Sequence, residues 1–242
     1  MLRKIIRKIY NNIHPKIFGN KSEPHVVYKT WREITSKLVS QDYFKAAGLY
    51  NVWASYPGKR DRQVMAIQSL QNVISNKIPG AVAEFGCFKG HTAIQIAHTM
   101  EKMSDRSQFF LFDSFQGVPA STHPDDSYWQ KGALTAEYSV VKMRFAPFKN
   151  VEIVKGYFKD VLPSYSNLRI KFAHVDADLY VSIKEVNEWL LGRMELGGII
   201  IYDDYDFETC PGAMKAVDED LAEHTDFYKW YLPTGKLMAV KI

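Results

Sequence analysis

Cysteine is scarce in this sequence of 242 residues, which contains Cys87 and Cys210 and no other cysteine. Two cysteines exclude a disulfide framework, and a reducing compartment is the simplest interpretation. Long apolar runs are lacking too. No stretch reaches the roughly 18 residues that a membrane-spanning helix needs, and the N-terminus lacks the continuous apolar centre of a secretory signal. We therefore expect a cytoplasmic protein.

A large net charge is also lacking, because 31 basic and 27 acidic side chains leave +4. Six basic residues and no acidic residue lie within residues 1–22, so the remainder carries 25 − 27 = −2. A nearly neutral body argues against nucleic acid as a partner. Hydrophobic residues make up 46% and charged residues 24%, which is typical of a globular protein and excludes global disorder.

The basic N-terminal segment has an amphipathic pattern over residues 2–17, with apolar residues on one stripe. A helix of this kind packs on the body or on a second subunit, so we expect a homo-oligomer. Its basic face is also compatible with peripheral contact to an anionic membrane surface. We predict an N-terminal helical extension at residues 1–55 and one α/β domain at residues 56–242.

Beyond residue 60, strand patterns alternate with helix patterns. We predict strands at 81–86, 109–113, 151–155, 171–176 and 198–203, helices at 61–76, 92–103, 135–145, 182–194 and 212–221, and a terminal hairpin at 226–240. This alternation predicts a mostly parallel sheet with helices on both faces and a C-terminal antiparallel hairpin. Ser182 and Glu185 have the spacing of a capping box. In such a sheet, ligands bind beyond the carboxyl ends of the strands.

The turn after the first strand favours an adenosine-containing cofactor. Gly86 and Gly90 permit a tight turn and a close approach of the backbone to a ligand. Phe88 stands at the second glycine of the dinucleotide pattern, which argues against NAD, and the turn has no P-loop sequence. Asp113, at the end of the second strand, can accept both ribose hydroxyls. The acidic turn with Glu84 suits a cation, which favours S-adenosylmethionine (SAM) over a pyrophosphate.

Four carboxylates follow the next two strands of the predicted sheet. Asp176 and Asp178 end the fourth strand, and Asp203 and Asp204 end the fifth. Because consecutive parallel strands are usually neighbours, these acids should lie close together and need a compensating cation. Oxygen ligands favour Mg²⁺, with Mn²⁺ or Ca²⁺ as alternatives. Asp203 and Asp204 can reach one ion if the chain turns at Asp203. His174 is compatible with a core histidine.

Five segments, in this order, resemble the macrocin O-methyltransferase family, whose members are class I SAM-dependent enzymes that methylate sugar hydroxyls of natural products. The segments are EFGCFKG at 84–90, FDSFQGVP at 112–119, KGYF at 155–158, HVDADLY at 174–180, and GG through DDY at 197–205. The match covers roughly residues 50–235. The aromatic residue followed by a basic one at Phe88 and Lys89 resembles the pattern of this family at these positions.

The resemblance implies a Rossmann-like class I methyltransferase sheet and a hydroxyl of a sugar, glycosylated metabolite or glycan as the acceptor. It implies a metal ion on Asp176, Asp203 and Asp204, with Asp178 as the general base. It also implies SAM contacts from Glu84, Phe85, Gly86, Cys87, Gly90, Asp113, Ser114, Gly156 and Asp176.

Three other functions stay open at this point. Asp176 and Asp178 after an apolar strand look like the D-x-D motif of a glycosyltransferase, although that leaves Glu84 and the Asp203–Asp204 pair unexplained. A metal-dependent methyltransferase of a catechol or another phenol would share the chemistry. A non-catalytic SAM-binding module is disfavoured by the complete acidic set. The long connection at 114–150 is predicted to be a lid over the acceptor.

Overall fold

The computed structural model describes residues 60–232 and 235–242. The predicted N-terminal extension and the boundary at residue 55 therefore lie outside the described residues. Among the described residues, no helix combines the length and the apolar character that a bilayer crossing requires.

Strands and helices alternate along this part of the chain as the sequence predicts. The strands are β1 (Ala81–Phe85), β2 (Phe109–Asp113), β3 (Val151–Lys155), β4 (Ile170–Val175), β5 (Met194–Tyr202), β6 (Phe227–Leu232) and β7 (Lys236–Lys241). The helices are α1 (Arg60–Ser75), α2 (His91–Lys102), α3 (Tyr138–Phe145), α4 (Phe158–Val161), α5 (Tyr180–Leu190) and α6 (Pro211–Glu223). Short 3-10 turns lie at Pro124–Asp126, Leu162–Tyr165 and Leu191–Arg193.

All seven of these strands form one sheet in the order β3-β2-β1-β4-β5-β7-β6. The first five in this order are parallel, and β7 pairs antiparallel with both β5 and β6. The predicted parallel sheet with a C-terminal antiparallel hairpin is confirmed. Because β4 adds to β1 on the side away from β2, the strand order reverses beside β1, and open α/β sheets bind ligands at such a point.

Two apolar cores cover the two faces of the sheet. One contains Ile67 of α1 and Ile94 of α2, and the other contains Val186 of α5 and Ala213 of α6. Strands β1, β2 and β4 are buried along their whole length, as their near-continuous apolar sequences predict. The helices on both faces hold these strands rigidly and fix the positions of the residues that follow them.

The helix after β4 differs from the prediction at both ends. Ser182 does not cap it, because the helix begins at Tyr180 and Ser182 lies buried within it. Glu185 accepts a hydrogen bond from the Lys159 N–H (3.3 Å) and does not complete a capping box. The Tyr180 N–H instead donates to Asp126 Oδ1 at 2.7 Å. The helix ends at Leu190, and β5 begins at Met194, which the prediction had placed in the helix.

Candidate active site

A pocket of about 400 Å³ lies at the carboxyl edge of the sheet, beside the reversal in strand order. Its walls come from the turn after β1, the ends of β2 and β4, and the connection between β2 and α3. The volume falls in the ordinary range of small-molecule sites. The location is the one that the parallel sheet predicts.

The turn after β1 approaches the segment after β4 closely. Gly86 has φ of 82°, and a Cβ atom there would lie 1.9 Å from the Asp176 carbonyl oxygen. A side chain at this position would therefore collide with backbone. Phe88 also has a left-handed conformation, with φ of 48°, where glycine is the usual residue. The backbone at position 88 therefore has the left-handed conformation that suits the glycine of the dinucleotide pattern, although the residue there is Phe88.

The Asp113 carboxylate ties two turns together at the end of β2. Its Oδ2 accepts a hydrogen bond from the Phe88 N–H and its Oδ1 accepts one from the Phe115 N–H, both at 2.7 Å. Burial raises the pKa of Asp113, and these hydrogen bonds oppose the shift. Each carboxylate oxygen has a second lone pair, so Asp113 can hold the turn and still accept a ligand hydroxyl from the pocket that it lines.

Other predicted donor-side residues surround this carboxylate. The Gly156 N–H donates to the Asp113 carbonyl oxygen (3.0 Å), and the Ser114 hydroxyl donates to the Gly117 carbonyl oxygen (2.9 Å). Burial raises the pKa of the Cys87 thiol well above its usual value, which keeps this cysteine protonated and inert. Phe85 is fully buried and stacks on Phe112 with ring centroids 5.2 Å apart. Phe85 therefore supports the turn from the core.

The acids after β4 and β5 converge as predicted. Asp176, Asp203 and Asp204, which we call the metal set, each offer a carboxylate oxygen, and these three atoms lie within 4.8 Å of one another. Strand β5 ends at Tyr202 and a turn begins at Asp203, which satisfies the condition set by the sequence. Asp176 and Asp204 line the pocket, whereas Asp203 is fully buried behind them. Three oxygen ligands suit a hard divalent cation.

Asp178 lies next to the metal set in a constrained backbone. Its φ is 57°, and its N–H donates to Asp204 Oδ2 at 3.1 Å. Its Oδ1 accepts a hydrogen bond from the Cys210 thiol at 3.5 Å. Burial and the nearby Asp204 and Asp178 raise the pKa of Cys210 to about 12, so this thiol stays a donor. The sequence did not reveal Cys210, which is distant along the chain and belongs to no motif.

Part of the predicted lid is anchored beside these acids. Asp126 is buried, and it accepts hydrogen bonds from the Tyr180 N–H at Oδ1 (2.7 Å) and from the Ser121 hydroxyl at Oδ2 (2.6 Å). Trp129, which lines the pocket, donates from Nε1 to Cys210 Sγ at 3.5 Å. The first half of the connection therefore packs against the start of α5. Closure over a ligand stays a prediction.

A row of four charged side chains crosses the sheet from β1 through β4 and the residue after β5 to β7, and Glu84 at one end of the row lines the pocket. The buried charge row consists of Glu84, His174, Asp203 and Lys236, each at most 1% exposed. His174 Nδ1 lies 3.2 Å from Glu84 Oε1, and its Nε2 lies 3.4 Å from Asp203 Oδ1. Lys236 donates to Asp203 Oδ1. Burial by itself lowers the pKa of His174, but the hydrogen bonds to Asp203 and Glu84 raise it to about 10. His174 is thus a cation, and the sequence pointed to neither this charge nor Lys236.

The family model for macrocin-O-methyltransferase (TylF) matches residues 4–225. The chain belongs to the macrocin-O-methyltransferase family. The match includes every residue of the metal set and the whole turn after β1, and it confirms the resemblance that the five segments indicated. It also disfavours the glycosyltransferase interpretation of Asp176 and Asp178.

Individual relatives of this macrocin-O-methyltransferase family member carry related names. One is the 8-demethyl-8-(2,3-dimethoxy-alpha-L-rhamnosyl)-tetracenomycin-C 4'-O-methyltransferase of Streptomyces olivaceus, 28% identical over 157 residues, which are 60% of each chain. Another is the demethyldecarbamoylnovobiocin O-methyltransferase of Streptomyces niveus, 30% identical over 63% of this chain and 62% of the relative. The chain thus spans about three fifths of the length of these relatives.

Solved structures share the fold of this family member. The O-methyltransferase NovP superposes with a TM-score of 0.67 at 24% identity, covering 74% of this chain and 79% of its own. An O-methyltransferase of Bacillus cereus, solved in complex with SAH, has a TM-score of 0.54 at 16% identity over 89% of this chain and all of its own. These similarities confirm the Rossmann-like class I methyltransferase fold.

Proposed function

We propose that the protein is a SAM-dependent and divalent-cation-dependent O-methyltransferase that acts on a hydroxyl of a sugar or glycosylated metabolite or glycan. One observation carries this proposal. Three carboxylates whose oxygens lie within 4.8 Å of one another share an edge of the sheet with the glycine turn after β1, and two of them, Asp176 and Asp204, line the same pocket as that turn. Family membership supports the reaction class.

The donor side of the pocket fits SAM by its shape and charge. Gly86 lines the pocket, and the left-handed conformations of Gly86 and Gly90 let the turn pack closely, Gly86 against the Asp176 backbone and Gly90 against the Phe145 ring. Asp113 lines the wall where the ribose hydroxyls of an adenosine would bind. Asp176, which lines the pocket, adds negative potential that attracts a cation. When bound, SAM supplies a methyl group on a sulfonium, which is a good leaving group.

The acceptor side supplies a base and a metal set. Asp176, Asp203 and Asp204 would hold the divalent cation, which when bound acts as a Lewis acid toward the acceptor hydroxyl. Asp178 faces the same pocket and would accept the proton of that hydroxyl. The hydrogen bond from Cys210 to Asp178 Oδ1 fixes the direction of this carboxylate. The cation would also position the acceptor oxygen for attack on the methyl group. This positioning would contribute to the rate together with the lower pKa that a Lewis acid gives the acceptor hydroxyl.

The acceptor class is inferred from the pocket wall and from the relatives. Trp129 and Phe207 line the pocket on the side of Asp178 and Cys210, and aromatic rings offer flat apolar surfaces for a sugar ring. The relatives include an 8-demethyl-8-(2,3-dimethoxy-alpha-L-rhamnosyl)-tetracenomycin-C 4'-O-methyltransferase and a mycinamicin III 3''-O-methyltransferase. A phenolic acceptor would need the same carboxylates and is the alternative. The cytoplasmic location, the homo-oligomer and the peripheral membrane contact remain predictions from sequence.

The experiment is a methyl-transfer screen that detects SAH from SAM and Mg²⁺. Sugar nucleotides, glycosylated metabolites, surface glycans and catechols are offered separately to the full-length chain. We expect turnover with a sugar acceptor, loss of turnover in excess EDTA, and recovery with added Mg²⁺. Asp178→Asn should reduce kcat by about 10²- to 10⁴-fold, the range for loss of a general base, with SAH affinity unchanged.

The matched control is Asp160→Asn, which removes an acid from the exposed surface of α4. This variant should retain the wild-type rate. Undiminished turnover in EDTA would refute the metal dependence, and transfer to catechols alone would refute the sugar acceptor. Failure to bind SAM at all would refute the reaction class.

A further inference from the structure

Lys236 is an unusual residue to find inside a protein. It is 0% exposed and is the first residue of β7, the strand that lies between β5 and β6 in the sheet. Its ammonium donates to Asp203 Oδ1 and reaches the Asp203 carbonyl oxygen at 3.4 Å. The antiparallel register explains this pairing, because Tyr202 lies opposite Leu237 and the next residues are Asp203 and Lys236.

The structure assigns Lys236 as a positioning residue for the metal set, acting through Asp203. This inference rests on the proposed function, because it concerns the same cation. The C-terminal hairpin, whose described residues contribute no wall to the pocket, thereby becomes part of the active site. His174 assists from the other side, since its Nε2 lies 3.4 Å from the same carboxylate oxygen.

The geometry explains how Lys236 would act. Two side-chain nitrogens converge on Asp203 Oδ1 from the strands on either side of β5, Lys236 Nζ from β7 and His174 Nε2 from β4. A carboxylate held at one oxygen from two directions cannot rotate freely, so its orientation toward Asp176 and Asp204 is fixed before a cation arrives. Outer contacts of this kind commonly change metal affinity by 10- to 100-fold.

Charge supports the same assignment. A buried lysine is costly unless it is paired, and an apolar pair of similar size would fill the space at least as well. The contact with Asp203 offsets the cost of burying Lys236, so the carboxylate that Lys236 holds explains a lysine at this position.

The test measures metal binding directly, with Mn²⁺ as the probe, on the full-length chain saturated with SAH. Lys236→Met should raise the Mn²⁺ dissociation constant by about 10- to 100-fold, and SAH affinity should stay within twofold of wild type. Lys236→Gln keeps a hydrogen-bond donor without the charge, so its Mn²⁺ dissociation constant should lie between those of wild type and Lys236→Met. At saturating Mn²⁺, kcat of both variants should recover toward wild type.

The control is Lys241→Met, because Lys241 lies at the other end of the same strand and is also paired, with Asp226. Its Mn²⁺ affinity should equal that of wild type. Wild-type Mn²⁺ affinity, or tighter binding, in a Lys236 variant that binds SAH normally would overturn the inference. So would a parallel loss of SAH affinity, or loss of folding in both Lys236 variants, since Lys236 would then be purely structural. If the wild-type protein itself does not bind Mn²⁺, the proposed function fails instead.

Discussion

The two edges of the central sheet handle buried charge differently. At the amino edge, Lys171 at the start of β4 is 5% exposed, and its Nζ lies 2.7 Å from Asp105 Oδ2, one cation for one acid. At the carboxyl edge, Asp176, Asp178, Asp203 and Asp204 crowd together with Glu84 and Asp113, and the buried cations beside them are His174 and Lys236.

This difference separates a structural ion pair from a site. Lys171 and Asp105 are partners of each other, so this pair needs nothing from solution. The carboxyl edge holds more acids than cations in the described part of the chain, and such repulsion destabilises the fold unless a ligand compensates. Functional sites commonly retain features that reduce stability. The excess of acid is therefore the physical signature of the candidate site.

The largest effect is expected from Asp204→Asn, which removes one charge from the metal set. Turnover should fall about 10³-fold, because a Lewis acid contributes several kcal/mol and each 1.36 kcal/mol is a tenfold change in rate. The amide keeps an oxygen for the Asp178 N–H. In EDTA, the melting temperature should stay constant or rise, because one repelling carboxylate is gone. A clear fall in melting temperature would contradict the claim that the excess of acid at the carboxyl edge destabilises the fold.

A smaller effect is expected from Gly86→Ala, which tests whether the donor turn depends on the segment after β4. The new Cβ would lie 1.9 Å from the Asp176 carbonyl oxygen, in a left-handed conformation. We expect SAH affinity to fall about 10²-fold, because strain of 1–3 kcal/mol accompanies such backbone. Gly192→Ala at the amino edge is the control, since a Cβ atom there would meet nothing within 4 Å among the described residues. Equal SAH affinities of Gly86→Ala and wild type, measured by calorimetry, would contradict the dependence of the donor turn on the segment after β4.

The smallest effect is expected from Asp105→Asn, which breaks the structural pair. The free energy of unfolding should fall by about 2 kcal/mol at pH 7, because a nearly buried Lys171 loses its partner, and kcat should not change. Burial raises the pKa of Asp105, but the hydrogen bonds from Lys171 and the Ser107 N–H outweigh this and lower it below its usual value.

The lowered pKa of Asp105 determines how the difference in free energy of unfolding between wild type and Asp105→Asn depends on pH. A carboxyl whose pKa is lower in the folded protein stabilises it fully above the unfolded-chain value of about 3.9. The stabilisation is lost as the pH falls through the folded-state value. Urea unfolding should therefore show a constant difference between wild type and Asp105→Asn from pH 7 to pH 5, and a shrinking one below about pH 4. A difference that grows toward low pH would contradict the pairing.

Much of the fold was predictable because its signals are local. The predicted strands at 109–113 and 151–155 agree with β2 and β3 at both ends, since each is a short apolar or alternating run. The helix after β4 was mispredicted because Ser182 and Glu185 matched a capping pattern by chance. Its N-terminus is instead satisfied by Asp126, 54 residues away, which no local pattern reveals.

The candidate site divides in the same way. Asp176, Asp178, Asp203 and Asp204 were predictable, because parallel neighbouring strands bring their carboxyl ends together. Cys210 and Lys236 were not, since each reaches the acids through the packing of distant segments.

By itself, the sequence determined the order of strands and helices, the glycine turn and the acids at the strand ends, because these depend on periodicity and on residue chemistry at short range. Tertiary structure alone decided which charges balance one another. His174 became a cation between two carboxylates, and Lys236 became the partner of Asp203. Charge balance inside a protein depends on which groups burial brings within a few ångströms, and that distance is set by the assembled sheet.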